Sequence, residues 1–453
     1  MARRRYRLAV AAVTAFGLAL RIVVPLVRFR HLNPPIGDRS SSTGAWIQAN
    51  LFADGQGLAD PDVWRQTGRF VHSAAQPPLY GIVLGSAAFL GAHSVTALRL
   101  VSAVLGALAI PVIARVALPV GGARVSLIAA GLVAVHPNLW VDNGLLRPET
   151  ILVSILGLVV LAGLRMADGP SFGRAAGLGA AIGLSMLCRV ELAWLVLVLA
   201  VPVALWTCRG DGTLGRRAAW ASTSTAVAVV MFMPWFLDSR EQIGVPFALS
   251  GVAGARLEAG SCATTTSGDL LGATDPSCLA TVDPAVASTP ADVDRVRWDA
   301  AVDAMGQNRL RFAAVVVPAR IARSWGVYRP RQTIDIGELF EQRGIRIGQL
   351  GLALHYLVTA AAAVGLAVRV RARKPVLPFL ALIAVSMFSA AAAGGNLRYR
   401  VTADVALVLL AAIGIDALLG AITTRARRQR DRVDPVALNL STPGDPTGGA
   451  WSA

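Results

Sequence analysis

Several charged side chains lie just outside long apolar runs of this sequence, and the first is Asp38, in HLNPPIGDRSSSTGAW. A general base needs a carboxylate on a stiff backbone within reach of a hydroxyl group, and Pro34, Pro35 and Gly37 predict such a turn. The alternative is that Asp38 caps a helix beginning near Ser40, because Asp and Ser are both good N-cap residues. The sequence leaves both roles open.

Arg398 and Arg400 form a second candidate group, in which they flank Tyr399 in GGNLRYRVTADVALVLL. Arginine binds phosphate through paired hydrogen bonds, so this arrangement suits a phosphate diester at the depth of lipid headgroups. The alternative is that both side chains only anchor the chain at the interface by snorkelling.

Charged residues also gather in two short polar stretches, LCRVELAW and HPNLWVDNGLLRPET. Arg189 and Glu191 are two residues apart and would not face each other on one helix, so we expect either to pair elsewhere, for instance with Glu149. A buried ion pair that orders the helices and a role in substrate binding fit this pattern equally well.

The histidines are weaker candidates. His136 precedes a proline and has no second histidine three or four residues away, which favours a capping or loop role over metal ligation. His72, in FVHSAAQPPLY, shares a polar stretch with Asp38 and Gln76. These three residues are therefore candidates for one site.

The composition indicates which elements must position these residues. Of the 453 residues, 55% are hydrophobic and 15% are charged, which excludes a water-soluble globule and indicates an all-α integral membrane protein. The net charge of +16 comes with arginines beside apolar runs, as is typical of cytoplasmic anchors, so no nucleic-acid partner is expected. Phosphate-binding glycine motifs and G-x-S-x-G are missing, which argues against an ATPase or a Rossmann enzyme.

Apolar runs of about 20 residues can cross a hydrocarbon core, and on this template the sequence predicts about ten transmembrane helices. They lie near residues 8–28, 97–118, 124–140, 149–167, 174–190, 191–208, 218–237, 349–369, 375–394 and 401–422. The apolar stretch 77–91 is shorter and is predicted to lie at the interface or to re-enter part-way.

Loop charges predict the topology, because short loops rich in Lys and Arg stay in the cytoplasm. If the N-terminus lies in the cytoplasm, every short loop rich in Lys and Arg is also cytoplasmic. The C-terminus is then cytoplasmic too, and the long loops 29–96 and 238–348 are extracytoplasmic. The candidate site residues then lie at the outer boundary of the membrane. Residues 1–425 are predicted to form the transmembrane domain, and residues 426–453 a disordered tail.

The second long loop contains both Cys262 and Cys278. If this loop is extracytoplasmic, a disulfide between the two cysteines is expected. Further along the loop, apolar residues recur at helical spacing and predict amphipathic helices on the membrane surface.

The order of these motifs resembles a known family. Asp38 followed by ANLFADGQGLADP, then QPPLYGIVLG, GLVAVHPNLWVDNGLLRPET, LCRVELAWLV, SWGVYRPRQ and NLRYRVTADV, together resemble bacterial family-39 glycosyltransferases of the GT-C superfamily. These are relatives of the dolichyl-phosphate-mannose protein mannosyltransferases and the lipid A aminoarabinose transferases. The resemblance extends from residue 1 to about residue 425.

The resemblance implies a GT-C-like helical bundle that takes a sugar from a polyprenyl phosphate in the membrane. The acceptor would be an extracytoplasmic protein, glycolipid or glycan, and no soluble cofactor would be needed. Asp38 matches the loop acid that acts as base in an inverting displacement, while Arg189, Arg398 and Arg400 match basic residues of the family.

The sequence departs from the family pattern at two places. Members often have aromatic residues and histidine where this chain has Ser40, Ser41 and Ser42, and they commonly read HPPLY where Gln76 precedes the prolines here. No metal ligands are therefore assigned, although a divalent metal stays open, with His72 as a substitute imidazole. A secondary transporter or lipid carrier and a catalytically inactive envelope-assembly scaffold stay as alternatives.

Overall fold

The computed structural model describes residues 2–29, 41–207, 212–243, 249–279 and 289–438. Asp38 and Ser40 lie outside these ranges. Within them the chain is helical, and extended backbone pairs only in an isolated bridge between Ala59 and His72. The predicted all-α class is confirmed.

The helices are numbered in chain order. They are α1 (Ala2–Arg28), α2 (Ser41–Ala53), α3 (Pro61–Thr67), α4 (Leu79–Phe89), α5 (Val95–Ala107), α6 (Ala109–Val135), α7 (Val141–Gly144), α8 (Glu149–Asp168), α9 (Phe172–Met186), α10 (Leu214–Ser239), α11 (Ala253–Ser261), α12 (Ala263–Thr266), α13 (Pro290–Gln307), α14 (Arg309–Arg311), α15 (Val317–Ser324), α16 (Pro330–Glu341), α17 (Ile345–Arg371), α18 (Leu377–Ala393) and α19 (Val401–Leu438). Short 3-10 or π segments lie at Pro137–Leu139, Val190–Ala193, Val196–Ala200, Val203–Thr207, Arg240–Gln242, Pro276–Cys278, Phe312–Val316 and Leu397–Arg400.

Six helical segments in the described ranges are long and apolar enough to cross a membrane, as expected of a multi-pass membrane protein. They are Arg3–Arg28, Val95–Val135, Glu149–Asp168, Leu214–Ser239, Ile345–Arg371 and Leu397–Thr424. Shorter apolar helices occupy Leu79–Phe89, Val190–Trp206 and Leu377–Ala393. Every predicted span coincides with a helical segment where its residues are described.

A glycine break takes the place of the loop predicted between the second and third spans. Helix α6 continues through this region, but Gly121 and Gly122 leave helical geometry, and Gly122 has a φ of 78°. Glycine adopts a positive φ readily because it has no Cβ. The two predicted spans are therefore joined by a kink in one helix.

Two buried arginines tie α1 to the helices beside it. The guanidinium of Arg21 donates to the carbonyl oxygens of Val133 at 3.0 Å and of Ala134 at 3.3 Å. Arg99 donates from Nη1 to the carbonyl oxygen of Phe29 at 2.9 Å, and from Nε to that of Gly144 at 3.0 Å. The end of α1 is thereby held beside α7, close to where the candidate site residues begin.

Helices α17 and α19 pack closely through paired glycines. A Cβ on Gly365 would overlap the carbonyl oxygen of Leu410, and a Cβ on Gly414 would overlap that of Ala361. Small residues let helix backbones approach in a membrane, where van der Waals packing drives association. This crossing sets the relative positions of two helices that carry residues of the polar clusters described below.

We expect Gly365→Ala to destabilise the protein by about 1–3 kcal/mol, because the added methyl group meets a backbone oxygen that cannot rotate away. Gly131→Ala is the matched control, since Gly131 lies in α6 and a Cβ there meets no atom within 4 Å. That control should be neutral or stabilising, because alanine is a better helix former than glycine. Thermal unfolding in detergent measures both, and equal melting temperatures would contradict the close packing.

Candidate active site

The carboxylate of Glu149 is the centre of a polar cluster at one end of the bundle. Glu149 is the first residue of α8 and is 2% exposed. Its Oε1 accepts a hydrogen bond from Nη1 of Arg189 at 2.7 Å and another from Nε of Arg398. The position at a helix N-terminus also favours its negative charge. One buried acid thus joins residues from three distant parts of the sequence.

An extended backbone allows Arg189 to contact two acids at once. Its φ of −152° and ψ of 118° place it between α9 and the 3-10 segment Val190–Ala193. Its Nε donates to Oε1 of Glu191 at 2.5 Å. The expectation that these two side chains do not face each other is therefore wrong, because the segment is not one helix. The ring of Tyr399 packs against the same guanidinium group, with its centroid 5.2 Å from Cζ of Arg189.

A second group of ion pairs lies next to this one. Nη1 of Arg147 is 3.2 Å from Oδ1 of Asp142 and 3.4 Å from Oε2 of Glu341. Nη1 of Arg343 is 3.1 Å from the same Asp142 oxygen. Asn396 links the two groups, because its Nδ2 donates to Oε1 of Glu341 at 2.8 Å.

Sequence reasoning missed Glu341, which is the last residue of α16, and Arg343, which follows that helix in the second long loop. Their stretch, FEQRGIR, has no motif or spacing that separates an enclosed loop charge from a solvated one. Burial alone would raise the pKa of the Glu341 carboxyl group, but the guanidinium groups of Arg147 and Arg343 hold that pKa below its ordinary value. Glu341 is therefore a carboxylate that balances the arginines.

Two cavities meet at this cluster, and Arg147 and Arg398 line both. The first has a volume of about 170 Å³, and its wall includes Asp60, Gln76 and Tyr80. The second has a volume of about 330 Å³. Its lining includes Thr333, Phe340, Glu341, Asn396 and Tyr399. Cations therefore stand between two spaces that could each hold part of a substrate.

Arg398 differs from the other arginines of the cluster in its free hydrogen-bonding capacity. Its Nε is taken by Glu149, whereas its two terminal nitrogens make no hydrogen bond to any residue in the described ranges. Its side chain is 24% exposed, compared with 8% for Arg189. Paired terminal N–H groups facing a cavity are the arrangement with which arginine binds phosphate or carboxylate.

Two of the candidates from the sequence lie elsewhere. Arg400 turns away from Arg398 and is buried beside Asp404, with its Nε 3.3 Å from Oδ1. His72 pairs with residues at the end of α10, with its Nε2 3.1 Å from Oδ2 of Asp238 and 3.2 Å from Oγ of Ser239. The structure therefore brings together Glu149, Arg189, Glu191, Arg398 and Tyr399, with Gln76 on the wall of the first cavity.

A disulfide joins Cys262 and Cys278, the pair named from the sequence. It closes the polar turn between α11 and the 3-10 segment Pro276–Cys278. Pro276 lies on the wall of the second cavity. The bond therefore constrains backbone that shapes the site.

Asp38 lies outside the described residues, but the chain on either side of it is held near the site. The carbonyl oxygen of Phe29 accepts from Arg99, and Oγ of Ser42 donates to the carbonyl oxygen of Leu145 at 3.0 Å. The next residue, Leu146, lines the first cavity.

Comparison with known proteins identifies a family model and a fold. Residues 75–237 match the model described as dolichyl-phosphate-mannose-protein mannosyltransferase. Archaeal oligosaccharyltransferase AglB from Archaeoglobus fulgidus, in complex with an inhibitory peptide and a dolichol-phosphate, matches with a TM-score of 0.53 at 12% identity. That match covers 95% of this chain and 52% of that one.

Two further structures are similar. The apo form of the Archaeoglobus fulgidus oligosaccharyltransferase matches with a TM-score of 0.54 at 14% identity, over 94% of this chain and 52% of that one. ArnT from Cupriavidus metallidurans in the apo state is 19% identical over 91% of this chain and 78% of that one, with a TM-score of 0.39. No curated protein matches this chain.

The family resemblance noted in the sequence is thereby confirmed: residues 75–237 match the protein mannosyltransferase model, and the chain shares the fold of the Archaeoglobus fulgidus oligosaccharyltransferase. The chain spans about half the length of the oligosaccharyltransferases that it matches.

We expect Glu149→Gln to destabilise the protein by about 3–5 kcal/mol, because it removes the buried anion that the guanidinium groups of buried Arg189 and half-buried Arg398 share. The same change at Glu241, which is exposed in a 3-10 segment after α10, is the control and should be nearly neutral. Thermal or denaturant unfolding in detergent measures the difference. Equal stability of the two variants would show that the Glu149 ion pairs do not hold the cluster together.

Proposed function

We propose that this protein is a membrane glycosyltransferase that moves a sugar from a polyprenyl-phosphate donor to an extracytoplasmic acceptor. The observation that carries the proposal is Arg398, which lines both cavities and whose terminal nitrogens have no hydrogen-bond partner among the described residues, while its Nε is fixed by Glu149. A lipid-linked phosphate carries the negative charge and the oxygen acceptors that such a guanidinium binds. The family model and the fold agree with this chemistry.

The phosphate is the leaving group of the reaction, so a cation beside it does more than bind. Negative charge grows on the phosphate oxygen as the bond to the sugar breaks, and a fixed guanidinium stabilises that charge in the transition state. Arg398 cannot swing away because Glu149 holds its Nε. Arg189, which shares the same carboxylate, orients Glu149 and thereby keeps Arg398 in place.

The acceptor hydroxyl needs a base, and Asp38 is the residue we assign to that role. The assignment is supported by the described residues nearest to it in sequence, because Phe29 accepts a hydrogen bond from Arg99 and Ser42 donates one to the carbonyl oxygen of Leu145, next to Leu146 in the wall of the first cavity. In a single displacement the acceptor oxygen attacks the anomeric carbon, its proton passes to Asp38, and the bond to the phosphate breaks. Such a reaction inverts the anomeric configuration.

The two cavities suggest how the substrates divide. We place the donor phosphate and sugar beside Arg398 and Tyr399, and the acceptor in the first cavity, where Gln76 and Asp60 offer hydrogen bonds to hydroxyl groups. A hexose or a pentose fits this assignment, and so does a protein, glycolipid or glycan acceptor. The loop charges favour an active site on the extracytoplasmic side with both termini in the cytoplasm.

We expect Asp38→Asn to lower the rate of sugar transfer by about 10²–10⁴-fold, because the amide cannot accept the acceptor's proton. Asp54→Asn is the control, since Asp54 is an exposed acid in the same long loop. The measurement is transfer from a polyprenyl-phosphate sugar by the purified proteins. Full transfer by the Asp38 variant would eliminate Asp38 as the base.

We expect Arg398→Lys to weaken use of the donor by about 10- to 100-fold in kcat/KM, the equivalent of charged hydrogen bonds worth about 1.5–3 kcal/mol. Lysine keeps the charge but cannot contact Glu149 and a phosphate together. Arg69→Lys, at an exposed position of the first long loop, is the control. Unchanged donor kinetics in the Arg398 variant would place the phosphate elsewhere.

A further inference from the structure

Three buried side chains meet near the end of α6, one from the residue after that helix, one from within α17 and one from the first turn of α19. His136, His355 and Asp404 are 0%, 1% and 0% exposed. One possible ligand atom from each lies within 4.8 Å of the other two. Nδ1 of His355 is 3.2 Å from Oδ1 of Asp404. This cluster lies apart from the carboxylate of Glu149 and has no role in the proposed transfer reaction.

His136 is the member that needs an explanation. Neither nitrogen of its ring has a hydrogen-bond partner in the part of the chain that the structure describes, although the ring is fully enclosed. Buried polar atoms of this kind are rare because losing water without a replacement partner is costly. An imidazole nitrogen is a common metal ligand, so a metal ion would supply the partner that this ring lacks.

The carboxylate of Asp404 is oriented towards the same space. Its Oδ2 accepts a hydrogen bond from Nδ2 of Asn138 at 2.5 Å, which fixes the plane of the carboxylate. Arg400 approaches more loosely, with its Nε 3.3 Å from Oδ1 and 3.4 Å from Oδ2. Hydrogen bonds to one oxygen of a ligating carboxylate are the usual outer support of a metal site.

We propose that His136, His355 and Asp404 bind a zinc ion. Two imidazoles and one carboxylate form a three-ligand set of the kind that zinc takes, with water in the fourth position. Ligands of a tetrahedral zinc ion lie about 3.4 Å apart. Nδ1 of His355 and Oδ1 of Asp404 are 3.2 Å apart, and a ligand atom of His136 lies within 4.8 Å of the ligand atoms of both residues. The ion would join α17 and α19 to the loop after α6.

The site was not found from the sequence because its ligands come from distant helices. His136 has no neighbouring histidine at helical spacing, so local spacing argued against a metal there. The proposal does not depend on the proposed transfer reaction, and zinc binding is measured without any sugar donor.

Metal binding to the full chain tests the proposal directly. The protein is purified in detergent without a polyhistidine tag, and its disulfide is kept oxidised. It is then stripped of metal with a chelator and titrated with zinc chloride, and the bound zinc is measured by atomic emission. We expect one zinc ion per chain and a zinc-dependent rise in melting temperature. His136→Ala and His355→Ala should each weaken binding by about 100-fold or more. A wild-type chain that binds no zinc would overturn the proposal.

His93→Ala is the matched control, because the His93 side chain is exposed to solvent and its ring hydrogen-bonds to Asn50. It should bind zinc as the wild type does, and equal binding by the His136 and His355 variants would contradict the site. His136→Cys guards against loss of folding in the alanine variants, since a thiolate can replace the imidazole. With cadmium bound in place of zinc, that variant should show a thiolate-to-cadmium absorption band that the wild type lacks. A folded variant without this band would place His136 outside the metal site.

Discussion

The shared carboxylate of Glu149 is the interaction on which the rest of the site depends. Removing a carboxylate and two guanidinium groups from water is costly, and the cost is offset only when the groups meet in good geometry. Glu149 meets Arg189 from the segment after α9 and Arg398 from the 3-10 segment before α19. The ends of three helical elements are therefore held in one arrangement, because any other would leave a buried charge unpaired.

This constraint explains why Arg398 and Arg400 have different surroundings although one residue separates them. The chain between α18 and α19 is a 3-10 segment, Leu397–Arg400, so the two side chains leave it in different directions. Arg398 meets Glu149 with one nitrogen and lines both cavities. Arg400 is enclosed with Asp404. The proposed role in donor binding is therefore assigned to Arg398 alone.

Asn138 connects the candidate active site with the His136 cluster. Its Oδ1 accepts from Nη2 of Arg343 at 2.6 Å, and its Nδ2 donates to Asp404 at 2.5 Å. An amide can do both because it carries a donor and an acceptor on one rigid group. A movement of Asp404 would therefore displace Asn138, and through Asn138 it would alter the position of Arg343 and the ion pairs around Asp142. The proposed zinc ion and the proposed substrate site share this support.

The sequence by itself determined which segments form helices, because the length of an apolar run and helical periodicity are local properties of the chain. It placed the transmembrane segments, the loop cysteine pair and the charges at the helix ends, and it suggested Glu149 as a partner for Arg189. The tertiary structure decided which charges meet. Glu341 and Arg343 join the cluster, Arg400 and His72 leave it, and His136 finds His355 and Asp404, since these contacts depend on how helices far apart in sequence pack together.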